Sequence, residues 1–144
     1  RFVTAPYELN KKELRLRGGG GSEIIVYGRI PLMVTVQCMR KNLTGCTKKA
    51  GLIYMKDRTK RVFPVKLDCV FCYNTVYNSE VLSLIGETDF LNAAGFATRR
   101  ISLTTETYDE SEDVLLSFER VYHGEMPENL TASYTKGHFN RGVE

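Results

Sequence analysis

The sequence predicts an α/β fold, a partial (β/α)-barrel-like segment carrying an inserted β-hairpin. Three observations predict it. Strand-like and helix-like patterns follow one another along the chain, an order that leads to some parallel pairing. The 144 residues suffice for one core but fall short of the roughly 250 of a complete eight-fold barrel, so the segment reads as the second half of one. Residues 52–65 read as two strands joined by a charged turn at Asp57-Arg58. Residues 1–144 are therefore expected to be one domain or one piece of a larger domain.

Each element has its own signal. Residues 2–5 are a short apolar-polar run ended by Pro6, which fits a short buried strand. Asn10 is a helix cap for residues 11–17, with Glu13 in the third helical position. Residues 18–22, Gly-Gly-Gly-Gly-Ser, break that pattern and read as a flexible linker; with no Lys-Ser/Thr after them, a phosphate-cradling loop is rejected. Glu23-Ile24-Ile25-Val26-Tyr27-Gly28 is a near-continuous apolar run, the mark of a strand buried on both faces. After Gly28 and Pro31 the chain extends again over 32–36, and 39–51 is a polar, basic loop with room for one helical turn. Beyond the hairpin, 73–79 alternates like a strand, and Asn78-Ser79 is expected to cap a helix over 80–94. Residues 95–104 read as the last strand and 105–109 as a turn. An amphipathic helix over 113–122 follows, led by Asp109, Glu110, Glu112 and Asp113, which suit its positive N-terminal end. The tail over 123–144 is polar and glycine-rich, and no regular element is expected in it.

Composition narrows the class of function. The 42% hydrophobic and 26% charged residues are those of an ordinary globular protein. A net charge of +3 is too small to argue by itself for nucleic acid or an anionic membrane. No apolar run approaches the roughly 18 residues of a membrane span, and no signal peptide is visible. The chain opens at Arg1 and reads as an excised segment. Asn42-Leu43-Thr44 and Asn129-Leu130-Thr131 match the glycosylation pattern and, with no sign of secretion, are read as chance.

The chemistry-bearing stretch is 23–79, which holds all four cysteines. Cys38 and Cys46 precede the hairpin, and Cys69-x-x-Cys72 follows it. A hairpin brings its two flanks together, so the two pairs are expected to meet and close a four-thiolate site for zinc or an iron–sulfur cluster. Free thiols and two disulfides are the alternatives. Arg29, Arg99 and Arg100 sit at strand ends, where α/β folds gather ligands, and are candidate anion or substrate binders. Hydrolysis needs an activated nucleophile or a metal-bound water. There is no His-Glu-x-x-His and no Gly-x-Ser-x-Gly; the candidate catalytic groups are His138, Glu8 and Asp57. Tyr27, Tyr54, Tyr73 and Tyr77, with the basic strand ends, are the groups that would grip an RNA or peptide ligand.

Several phrases in order carry a resemblance. They are Ala5-Pro6-Tyr7-Glu8-Leu9-Asn10, Val26-Tyr27-Gly28-Arg29-Ile30-Pro31-Leu32-Met33, Lys56-Asp57-Arg58, Phe63-Pro64-Val65, Cys69-x-x-Cys72-Tyr73-Asn74, Tyr77-Asn78-Ser79, Arg100-Ile101-Ser102-Leu103-Thr104 and Lys136-Gly137-His138-Phe139. This set resembles the C-terminal part of the collagenase-like peptidase family (peptidase family U-32). The resemblance implies a bacterial, cytoplasmic α/β-barrel protein described as a peptidase, its cavity completed by an N-terminal half absent from this chain. It also implies an alternative, since some relatives carry an iron–sulfur cluster and hydroxylate RNA bases or a quinone precursor. The family signature runs from a glutamate through a glycine to a cysteine, with a second cysteine seven residues on. Glu23, Gly28 and Cys38 match it, whereas Pro31 stands at the first cysteine position. The segment alone is expected to be inactive as an enzyme.

Overall fold

The computed structural model describes residues 3–126 and 134–141. The chain forms two compact units, one from 1–28 with 81–144 and the other from 29–80. In sequence the smaller unit falls between two strands of the larger one.

The larger unit is built around β2 (Ser22–Gly28), the strand read from the sequence as buried on both faces; every residue of it but one is buried. β8 (Thr98–Ile101) runs parallel to it along one edge. β1 (Val3–Thr4), parallel, and β7 (Val81–Ser83), antiparallel, share its other edge, β1 near its start and β7 at its end. β9 (Tyr134–Thr135) adds to β7 in parallel. Helices and a sheet with parallel pairs make the fold α/β, as expected; among the described residues neither sheet closes into a barrel.

α1 (Lys11–Arg17) begins at a capping box in which Asn10 accepts from the Lys12 and Glu13 amides while Glu13 accepts from the Asn10 amide. The glycine tract after it is a packed turn, which corrects the linker expectation. The Gly19 amide donates to Ala94 O at 2.7 Å, and a Cβ there would stand 2.4 Å from the Gly95 carbonyl carbon and the Phe96 nitrogen. Glycine at 19 is thus a close-approach residue.

The helix expected over 80–94 is three elements: β7, a 3-10 turn over Ile85–Glu87, and α3 (Thr88–Ala93). Val81, Leu82, Ser83, Leu84 and Ile85 are all buried, and an apolar run buried on every side has no helical stripe. Asn78 caps no helix; its side chain accepts from the Glu80 amide at 3.4 Å. α4 (Tyr108–Tyr122) starts five residues earlier than expected, behind the cap Thr107, which exchanges capping-box bonds with Glu110. β9 corrects the expectation of a tail without regular structure. Phe2, Asn129-Leu130-Thr131 and 142–144 lie outside the described residues.

The smaller unit is an antiparallel sheet in the order β3 (Pro31–Thr35), β6 (Tyr73–Tyr77), β5 (Val62–Asp68), β4 (Gly51–Lys56). Its core is Val65, Leu67 and Val76, with Ile53, Met55 and Phe63 from the strands and Cys69 from the turn after β5 packed against them. Met39, from α2 (Met39–Thr44), covers the same cluster. The 39–51 loop therefore contains the single helical turn for which the sequence left room.

Candidate functional site

Strand register decides where the cysteines go. Gly51 pairs with Leu67, which sets the start of β4 beside the end of β5. Thr35 pairs with Asn74, which sets the end of β3 beside the start of β6. Cys38 follows β3, Cys46 precedes β4, and Cys69 and Cys72 bound the turn from β5 to β6. All four thus issue from one end of the sheet. Asp57-Arg58 turn the β4–β5 hairpin at the other end, where Lys56 pairs with Val62.

Each segment is held locally. In the β5–β6 turn, Asp68 Oδ1 accepts from the Val70 and Phe71 amides, both at 3.0 Å, and Cys72 takes a left-handed φ of 55° to complete the reversal. Cys38 is the N-cap residue of α2, and its carbonyl accepts from the Asn42 amide. Arg40 donates to Lys49 O at 3.0 Å and to Thr47 Oγ1 at 3.3 Å, folding the stretch around Cys46 back toward the helix. Asn74, 1% exposed, donates through Nδ2 to Gln37 O at 2.8 Å and to Thr35 O at 3.3 Å. Asn74→Ala is expected to cost about 1–2 kcal/mol through the unpaired carbonyls it leaves. It should also speed alkylation of Cys38 relative to Cys69 under native conditions, read by peptide mass spectrometry.

Cys38 and Cys69 are half-buried, Cys46 and Cys72 exposed, and all four are free thiols. Burial pushes the Cys69 thiol up, and the neighbouring Cys38, Cys46 and Cys72 push it further, against a smaller opposing pull from Arg40. Charge on each of the other three cysteines is thus felt at Cys69. Four soft sulfurs suit zinc or an iron–sulfur cluster, yet among the described residues no three ligating side chains stand together closely enough to hold one metal ion. The thiols are neighbours without forming a coordination shell.

Each of the other candidates has its own local setting. Arg29 donates to Asn78 O at 2.9 Å and Ser79 O at 2.7 Å, tying the entry of the smaller unit to its exit. Arg99 and Arg100 belong to the larger unit; Arg100 pairs with the buried Glu23, and Arg99 bonds Asn92 and lies 5.0 Å from the centre of the Tyr122 ring. Glu8 and His138 are exposed in turns. Asp57 accepts from Thr59 Oγ1 at 2.8 Å and the Arg61 amide at 2.9 Å, and the Thr59 bond is the first cause of its lowered pKa. It is a turn residue at the far end of the sheet from the thiols. Tyr27, 1% exposed, donates to Glu106 and is core.

No family model, curated protein or solved structure matches the chain. The geometry must speak for itself.

It speaks through charge. Residues 29–80 carry ten Lys and Arg against three Asp and Glu, a net +7, which leaves −4 for the rest of a chain of net +3. From Arg40 to Arg61 there are eight basic residues and one acid, Asp57. Whole-chain net charge hid this; a local count along the sequence finds it. No described helix is long and apolar enough to cross a membrane.

Proposed function

We propose that residues 29–80 are a metal-organised module in which Cys38, Cys46, Cys69 and Cys72 hold zinc or an iron–sulfur cluster. One observation carries the reading: two connections, β3 to β4 and β5 to β6, bring their cysteines to one end of one sheet, within electrostatic reach of Cys69. The need for such a clasp supports it. α2 has six residues, none buried, and no side-chain cap, and 41–50 is exposed throughout; a helix this short does not hold itself in water. The basic residues support it as well. Four thiolates leave net negative charge on a divalent ion, and Arg40, Lys41, Lys48 and Lys49 lie on the segment that would carry it. When bound, zinc would fix the loops, whereas a cluster would also pass electrons. A shell filled by four sulfurs leaves no position for a hydrolytic water.

The wider reading makes this chain part of a collagenase-like peptidase relative, a barrel segment whose other half completes the cavity and whose substrate is a peptide or an RNA base. Its support is the ordered set of phrases, and Glu8, Asp57 and His138 add no geometry to it.

Metal analysis of the anaerobically purified, reduced protein tests the module. We expect about one zinc per chain, or a brown iron-containing protein, and loss of the metal in Cys69→Ser with the fold retained by circular dichroism. A metal-free protein that takes up neither zinc nor iron, with four thiols titrating freely, would end the proposal.

A further inference from the structure

We propose that the sheet face turned away from the core of residues 29–80 is a platform for single-stranded nucleic acid. Alternation along the strands sorts the side chains. Ile53, Met55, Phe63, Val65, Leu67 and Val76 share the packed face. The opposite face therefore carries Leu52 and Tyr54 from β4, the buried Pro64 and exposed Lys66 from β5, Tyr73, Thr75 and Tyr77 from β6, and Val34 from β3 beside Thr75. Leu52, Lys66 and Thr75 form one row across three strands, with Tyr54 beside Pro64 and Tyr73 beside Asp68. Tyr54 is 64% exposed, and Tyr73 and Tyr77 are half-buried. Tyr73 bears on the phenol of Tyr77, whose pKa is raised by burial first and by Tyr73 second. Tyr54 and Tyr77 stand two strands apart, about 10 Å.

Aromatic rings with a lysine among them, on one face of an antiparallel sheet, present what unpaired bases stack on. The charge supplies the other half of the recognition. Lys66 sits within the face, Lys56, Arg58, Lys60 and Arg61 cluster at the hairpin end, and Arg40, Lys41, Lys48 and Lys49 lie on the segment between β3 and β4. A strand crossing the face meets Lys66 within it and the hairpin cations at one end, while the α2 segment lies against the packed face through Met39. An acidic peptide would answer the charge but leave the rings without planar partners, and a duplex keeps its bases out of their reach. None of these groups is a cysteine, so the inference does not depend on the thiol proposal.

Fluorescence anisotropy with a labelled 12-nucleotide oligouridylate tests it, on the full chain with metal content measured in parallel. Binding should fall roughly twentyfold between 50 and 200 mM salt, as expected for about three phosphate contacts on a single strand. Tyr54→Ala should weaken it about fivefold or more, and Tyr54→Phe should restore it, because the ring rather than the hydroxyl stacks. Three results would overturn the proposal: no binding at 50 mM salt, a duplex or polyphosphate of equal charge bound as tightly as the oligonucleotide, or Tyr54→Ala matching the parent. Binding that persists in a metal-free Cys69→Ser protein would show that the platform works whether or not the thiols hold a metal.

Discussion

Gly28→Ala is expected to destabilise the larger unit by about 3 kcal/mol or more, a large share of the 5–15 kcal/mol that holds a domain folded. Two costs combine. The backbone at 28 has a φ of +135°, where an L side chain is strained by about 1–3 kcal/mol. A Cβ there would also lie 2.3 Å from Ser102 O and 3.0 Å from Ser102 Cβ, and overpacking of that kind costs about 1–3 kcal/mol. Ser102 is poorly able to retreat, because its amide donates to Tyr27 O at 2.9 Å, continuing the β2–β8 ladder. Gly20→Ala is the matched control, since a Cβ at 20 meets nothing within 4 Å. Urea unfolding followed by far-ultraviolet circular dichroism should show a clear drop in midpoint for the first variant and little change for the second. Equal midpoints would show that Gly28 is held by neither contact nor conformation.

Gly28 also marks what the sequence made legible. The buried strand before it, the capped helix at Asn10 and the hairpin over 52–65 all carry local signals, and each forms where those signals put it. The misreadings share a cause of another kind. Val81-Leu82-Ser83 could have continued into a helix, but β2, more than fifty residues earlier in sequence, offers the end of an edge, and pairing with Gly28 and Tyr27 decides the matter. The glycine tract had the composition of a linker; only Gly95 and Phe96, reached through α3, show that close approach is what glycine serves at 19. For α4, Thr107 and Glu110 already spelled a capping box, and the acids nearer the middle drew attention away from it.

The candidate site divides along the same line. Proximity of the two cysteine pairs followed from the hairpin, because antiparallel pairing makes neighbours of its flanks. The arginines divide between the units: Arg29 donates to carbonyls of the smaller one, while Arg99 and Arg100 bind groups of the larger one. The basic character of 29–80 needed no structure, only the unit boundaries over which to count.

Glu87→Ala is expected to loosen a second part of the larger unit, by about 2–3 kcal/mol. Glu87 is 8% exposed and receives Lys11 Nζ at 2.8 Å and Lys136 Nζ at 2.6 Å. One carboxylate thereby ties α1 and the 134–141 segment to the start of α3. Lys11 extends the tie, with its amide on Phe139 O at 2.8 Å and its ammonium 5.0 Å from the centre of the Phe139 ring. Breaking a fully buried pair costs about 3–5 kcal/mol; both lysines here are more than a third exposed, and solvent screens part of that. Burial pushes the Glu87 carboxyl up, but the hydrogen bonds and charges of the two lysines outweigh it and hold the pKa below its ordinary 4.5. A carboxyl whose folded pKa is depressed stabilises the fold above its unfolded pKa, and that contribution is lost as pH falls through the folded value. Glu87→Gln keeps hydrogen-bonding capacity and loses the titration, so its urea midpoint should start below the parent's at neutral pH and converge on it below pH 4.5. A variant whose deficit persists unchanged to about pH 2, where ordinary carboxyls are protonated, would show that Glu87 acts through shape rather than charge.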